Sequence, residues 1–268
     1  MIKLISTDLD GTLLDPMKNL PPDFPEVFER LQRNNIRFVA SSGRSYQAVR
    51  PIFREMTDRM SFICDNGAFV ISGDKATHIN PISCADLNRI IKVCSESLHN
   101  VYPVLCGLNG TYVSPEVFRK NDKELGFYYF MRTECENPAD VDDQIMKVAI
   151  YDPDNPSVNS YPVLNSILGE EMTLVVSGDL WMDIMNKGID KGRALSQIQE
   201  EYGISKEETM AFGDFYNDIP ILERAKYSYV MENANDDMKK HGKYIAACNS
   251  EYGVTKAIIN YLDSHGLN

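Results

Sequence analysis

What this chain lacks narrows its possible roles. It has no basic excess: 27 Lys and Arg face 39 Asp and Glu, a net charge of -12. That balance counts against nucleic acid, whose phosphates need clustered Lys and Arg. It counts equally against an anionic membrane surface. No apolar run approaches the roughly 20 residues that cross a bilayer. The chain begins Met-Ile-Lys and enters an apolar stretch at once, so no signal peptide is expected. The six cysteines (Cys64, Cys84, Cys94, Cys106, Cys135 and Cys248) are scattered, with no CxxC pair and no clustered His. They suit free thiols in a reducing compartment, not a disulfide frame or a zinc site. A cytoplasmic location is expected. Internal repeats and low-complexity segments are also absent.

At 268 residues the chain has room for one large or two smaller domains. Its first part alternates in type. Ile2–Thr7, Ile36–Ala40 and Ser61–Cys64 read as strands, and Pro22–Asn34 and Tyr46–Glu55 as helices. Such alternation predicts a parallel sheet with right-handed crossovers and ligands beyond the strands' carboxyl ends. The texture changes near Ile82. Ala85–Leu98 and Val158–Leu168 read as helices, Glu116–Glu124 as a Lys- and Glu-rich helix, and Tyr128–Arg132 and Ile145–Tyr151 as strands. Met172–Ser177 and Trp181–Met185 form a hairpin around Gly178-Asp179. Mixed hairpins and helices suggest an α+β unit with an antiparallel sheet. Alternation returns from Gly192 to Leu262. The expected fold is therefore α/β: a discontinuous Rossmann-like parallel-sheet core, 1–82 and 187–268, with an α+β domain, 83–186, inserted between its halves.

The polar clusters fall at strand ends. Asp8-Leu9-Asp10-Gly11-Thr12 follows the first strand, where residues i and i+2 share a face. Two such close carboxylates raise each other's pKa unless a proton or a hard cation such as Mg2+ relieves them. The stretch reads equally as a turn rich in Asp and Gly. Gly213-Asp214-Phe215-Tyr216-Asn217-Asp218 is a second carboxylate pair after a strand, or an Asx-rich turn capping a helix. If the two strands are neighbours, Asp8, Asp214 and a backbone carbonyl near Asp10 offer Mg2+ a set of oxygen ligands. Ser42-Gly43 presents a hydroxyl and amides for an anion, or a plain N-cap. Lys191, ahead of a predicted helix, could balance the carboxylates and bind phosphate, or simply be solvated. Asn66-Gly67 is first of all a hairpin signal.

Taken together, DxDGT, Ser42-Gly43-Arg44, Lys191 and GDxxND resemble the four motifs of the haloacid dehalogenase superfamily of phosphotransferases. The insert resembles a type C2 cap. Asp10-Gly11-Thr12-Leu13-Leu14, Asn66-Gly67 and Gly188-Ile189-Asp190-Lys191-Gly192 point to the Cof-type (IIB) sugar-phosphate phosphatases. Two departures are Ser42, where Thr is frequent, and Asp190, where Ser is frequent. The resemblance implies Asp8 as nucleophile and Asp10 as general acid and base. It implies Mg2+ held by Asp8, the Asp10 carbonyl and Asp214. Ser42, Gly43 and Lys191 would hold phosphate, supported by Asn217 and Asp218. On this reading Asp8 stays ionised and Asp10 carries the proton. Arg44, Asn66 and Asn186 are candidates for substrate or cap contact. Tyr128 and Trp181 read first as packing residues. The expected partner is a small phosphorylated metabolite, and a monomer or weak homo-oligomer is expected. A phosphomutase and a non-catalytic phospho-receiver share parts of this pattern. A cap and an acid at Asp10 argue against the receiver.

Overall fold

The fold is given by a computed structural model that describes residues 1–73, 75–119, 129, 132–137 and 140–268. Its first sheet contains β1 (Leu4–Asp8), β2 (Arg37–Ser41), β3 (Ser61–Cys64), β4 (Phe69–Ser72) and β5 (Lys75–Ile79). Its second contains β6 (Tyr102–Gly107), β7 (Thr111–Val113), β8 (Thr133–Glu134), β9 (Ile145–Tyr151), β10 (Met172–Gly178) and β11 (Trp181–Asn186). The chain then returns to the first sheet with β12 (Thr209–Gly213), β13 (Tyr227–Met231) and β14 (Tyr244–Ala246). The first sheet runs β14-β13-β12-β1-β2-β3-β4-β5, and the second β10-β11-β9-β6-β7-β8.

Every residue of β1 is buried, as a strand covered on both faces requires. Ile5 belongs to the cluster beneath α1 (Phe24–Arg33), and Leu4 to the one beneath α6 (Lys191–Tyr202). α1 buries Phe24, Val27, Phe28 and Leu31, one apolar stripe at helical spacing. Phe24 meets Phe38 of β2 edge to face at 5.1 Å, and Phe53 meets Phe62 of β3 at 5.7 Å. These aromatic contacts brace the strands whose ends carry the polar clusters.

The strands from β14 to β3 are parallel. The Asn66-Gly67 turn then reverses the chain, so that β4 pairs antiparallel with β3, and β5 with β4. β5 was not foreseen, because Lys75-Ala76-Thr77-His78-Ile79 is a mostly exposed edge strand. In the second sheet β7 pairs parallel with β8 and the other pairings are antiparallel. The expected helix Glu116–Glu124 is described only as α4 (Pro115–Arg119). The expected strand Tyr128–Arg132 and the candidate Tyr128 lie largely outside the described residues. Of that range only Tyr129 and Arg132 are described, neither in a strand, and a short strand follows at Thr133–Glu134. The remaining helices are α2 (Tyr46–Phe53), α3 (Cys84–Ser97), α5 (Ser160–Leu168), α7 (Ile219–Glu223) and α8 (Gly253–Ser264). Among the described residues no helix is long and apolar enough to cross a membrane. All six cysteines are free.

Candidate active site

β1 lies between β12 and β2, with Thr7 beside Phe212 and Asp8 beside Ser41. The carboxyl ends of all three strands therefore meet where the chain departs to either side of β1, the usual ligand position in such sheets. Two glycines permit the approach. Gly11 has φ of +83°, and a Cβ there would collide with the Asp214 carboxylate. A Cβ on Gly213 would collide with Asp218.

Lys191 opens α6 and is 1% exposed. Its Nζ donates to Asp8 Oδ1 and to Asp218 Oδ1, both at 2.7 Å. Asp218 Oδ2 accepts from the Asp214 and Phe215 amides at 3.1 and 3.2 Å. Asp214 Oδ1 accepts from Thr12 Oγ1 at 2.8 Å. Asp8, Asp214 and Asp218 each bring a carboxylate oxygen within 4.8 Å of the others. One ammonium does not balance three carboxylates. Burial and the Asp218 charge push Asp8 up to about 7, and burial and Asp8 push Asp214 well up. Burial opposes the Lys191 charge, but Asp218 and Asp8 outweigh it and raise its pKa. Asp218 is occupied by three donors. Asp8 and Asp214 each keep an oxygen without a hydrogen-bond partner among the described residues. Such hard oxygen donors with excess negative charge fit a divalent cation such as Mg2+.

Asp10 departs from expectation. Arg44 Nε and Nη2 hold its two oxygens at 2.7 and 2.6 Å, and Lys18 Nζ lies 2.8 Å away. Burial works to raise its pKa, but Arg44 and Lys18 prevail and hold it below the usual carboxylate range. In the absence of a bound metal the two carboxylates are thus pushed in opposite directions, Asp8 up by burial and Asp218, and Asp10 down by Arg44 and Lys18. Asp8 and Asp10 line one cavity, as the i, i+2 spacing predicts, but β1 ends at Asp8 and the turn brings Asp10 to Arg44.

Ser42 is also not a helix cap. Ser45 occupies the N-cap of α2, and Ser42 Oγ instead accepts the Arg44 amide at 3.1 Å. Asn66, in the left-handed region with φ of 53°, links distant parts. Its Nδ2 donates to Asp183 Oδ2 at 2.6 Å, and its Oδ1 accepts from Asn217 Nδ2 at 3.1 Å. Asn186 is corrected: it donates to Asn80 Oδ1 and the Pro81 carbonyl, between the two sheets' segments, and does not line the cavity. Strand parity explains this. Trp181 and Asp183 share one face of β11, and Asn186 lies on the other. Asp190 has a local task, because its Oδ1 accepts the Arg193 amide at 2.7 Å as the N-cap of α6.

A cavity of about 810 Å³ joins these groups, lined by Asp8, Asp10, Ser42 and Arg44 on one side and by Lys147, Trp181 and Asp183 on the other. Lys147 and Asp183 were not singled out from the sequence. The available signal was a lone charge inside each of the apolar strands Ile145–Tyr151 and Trp181–Asn186.

Asp65, next to Asn66, is 2% exposed, and its Oδ1 has no hydrogen-bond partner. Burial pushes it up to about 7, with Lys147 opposing and Asp183 assisting. From the ordinary carboxylate range up to about 7 the folded chain keeps a proton that the unfolded chain releases, so stability falls as pH rises through that window. Asparagine also tolerates the φ of 49° at this position. Asp65→Asn is therefore expected to shrink the fall in Tm between about pH 4 and about pH 8. An unchanged fall would show that Asp65 does not titrate there.

Comparison with known proteins places this arrangement. The sequence pattern of haloacid dehalogenase-like hydrolases matches residues 5–258. The Escherichia coli 5-amino-6-(5-phospho-D-ribitylamino)uracil phosphatase YbjI is 28% identical, over 96% of this chain and 95% of its own. The E. coli pyridoxal phosphate phosphatase YbhA is 25% identical over 97% and 98%. The crystal structure of SMU.1108c from Streptococcus mutans superposes with a TM-score of 0.92 at 29% identity, covering 98% of this chain and 100% of that one. The HAD subclass IIB sugar phosphatase BT4131 shares the fold, with a TM-score of 0.81 at 22% identity and coverage of 97% and 98%. The chain belongs to the haloacid dehalogenase-like hydrolases.

Proposed function

We propose that the chain is a Mg2+-dependent phosphomonoester hydrolase for small phosphorylated metabolites, acting through an aspartyl-phosphate. The observation that carries this reading is the pair Asp8 and Asp218, joined by the buried Lys191, on the wall of a cavity also lined by Ser42, Gly43 and Arg44. Asp8 and Asp214, with the Asp10 carbonyl, would hold Mg2+, which when bound supplies positive charge against the phosphoryl oxygens. The Asp8 oxygen not held by Lys191 attacks phosphorus, and the bond to the leaving oxygen breaks. Lys191 and Ser42 hold phosphoryl oxygens where charge spreads in the transition state. Water then attacks the acyl phosphate and gives its proton to Asp10, which Arg44 and Lys18 keep ionised for that step. As the acid of the first step Asp10 must gain a proton. A phosphoryl dianion that draws Arg44 to itself removes part of what opposes this. Residues 83–186 serve as a cap that excludes bulk water.

Asp10→Asn is expected to lower turnover about 10²–10⁴-fold for alkyl phosphates. The loss should be smaller for p-nitrophenyl phosphate, whose leaving group needs little protonation. Equal losses on both would remove the acid role. The function itself is tested by phosphate release from a panel of sugar phosphates, pyridoxal phosphate and 5-amino-6-(5-phospho-D-ribitylamino)uracil. The heteroaromatic members belong there because two relatives are named for them. Release is expected with Mg2+ and none after chelation. A folded protein that releases phosphate from no member would overturn the reading. Conversion of a sugar phosphate to its isomer, without release, would point to a phosphomutase.

A further inference from the structure

Lys147 and Asp183 form a buried ion pair with no task so far. Asp183 stands opposite Ala149 across β11 and β9, which puts Lys147 diagonally across on the same face. Both residues are 2% exposed, and Nζ lies 3.0 Å from Asp183 Oδ1. Stability alone does not explain such a pair, because desolvating two charges offsets their attraction and apolar residues of similar volume serve as well. Its other contacts are more informative. Lys147 Nζ donates to the Gly43 carbonyl at 2.6 Å, and Asp183 Oδ2 accepts from Asn66 at 2.6 Å. Asn66 in turn accepts from Asn217, on the loop that carries Asp214 and Asp218. One pair on the second sheet thus reaches both loops of the candidate active site.

The effect on the first loop is specific. The Gly43–Arg44 peptide is held at both ends, by Lys147 at its oxygen and by Ser42 Oγ at its N–H. A cation at the carbonyl polarises the amide and strengthens its N–H as a donor. Because the Ser42 oxygen accepts that N–H, its own O–H remains to donate into the cavity that Ser42 lines. We propose that Lys147, paired with Asp183, is a positioning residue that sets the Ser42 hydroxyl for the phosphoryl group. The phosphate site is then complete only with the second sheet docked on the first. This rests on the phosphatase reading above.

Binding of inorganic phosphate, by calorimetry and as inhibition of p-nitrophenyl phosphate turnover, tests the proposal in the parent, Lys147→Met and Lys147→Met/Asp183→Asn. The single variant strands the Asp183 carboxylate and is expected to lose thermal stability. The double variant removes both charges, keeps an oxygen for Asn66, and is expected to recover it. Both are expected to bind phosphate about 10- to 100-fold more weakly, the worth of a lost charge-assisted hydrogen bond. A pair with only a structural role predicts instead that phosphate affinity follows stability. A double variant with parental Tm and parental affinity overturns the positioning role and leaves the phosphatase reading intact. A parent that neither binds nor releases phosphate overturns both.

Discussion

Asp8→Asn is expected to reduce phosphate release by a factor on the order of ten thousand or more, because an amide cannot form the acyl phosphate. The fold should survive. The side chain changes little in volume, and its carboxylate is already disfavoured by burial and by Asp218. An amide oxygen still accepts from Lys191, so the contact now made at 2.7 Å keeps an acceptor. Removing one of three converging carboxylates also lowers their mutual repulsion. In metal-free buffer above about pH 7, the variant is therefore expected to match or exceed the parent in Tm. Turnover in Asp8→Asn near the parental rate, measured with Mg2+ on the best substrate of the panel, would remove Asp8 from the nucleophile's place.

Lys191→Met has the opposite thermal signature. It removes the ammonium that joins Asp8 to Asp218 and leaves buried carboxylates without their cation. The expected loss is about 3–5 kcal/mol of unfolding free energy, the usual result of removing one partner from a buried pair. Turnover should fall with it, since Lys191 holds Asp8 and, on the proposed mechanism, would also hold a phosphoryl oxygen. Denaturant titration with and without Mg2+ separates the two effects. A divalent cation bound only by the folded state restores part of the stability, but supplies no N–H donor, so turnover stays low. Parental stability in Lys191→Met would show that the carboxylates shed their charge as protons at little cost. That outcome would contradict the raised pKa of Lys191 and the geometry behind it.

Much of the framework was legible because it depends on neighbours in sequence. β9 occupies the range that its apolar run predicts, Ile145–Tyr151. Strand ends marked by Asp and Gly coincide with the site because a parallel sheet puts its loops at one edge. β5 was missed because its residues are mostly exposed, and an edge strand with a solvated face carries little apolar signal. Trp181 reads first as a packing residue and Asn186 as a candidate for substrate contact, yet an odd spacing on one strand sends them to opposite faces and it is Trp181 that lines the cavity. Parity alone would have replaced Asn186 with Asp183.

By itself the sequence determined which residue types stand at which strand ends: Asp8 after β1, Ser42 after β2, Asp214 and Asp218 after β12, and Lys191 at the head of α6. Those placements follow from local periodicity and from turns that need glycine. Only the tertiary structure decided which charge meets which. Arg44 lies 34 positions from Asp10, and Lys191 lies 183 positions from Asp8. These partners, set at hydrogen-bond distance by the packing of whole strands and helices, control which carboxylate keeps its proton. Asp8 and Asp10 are alike in spacing and in type. They differ because one is buried among carboxylates and the other is clamped by two cations.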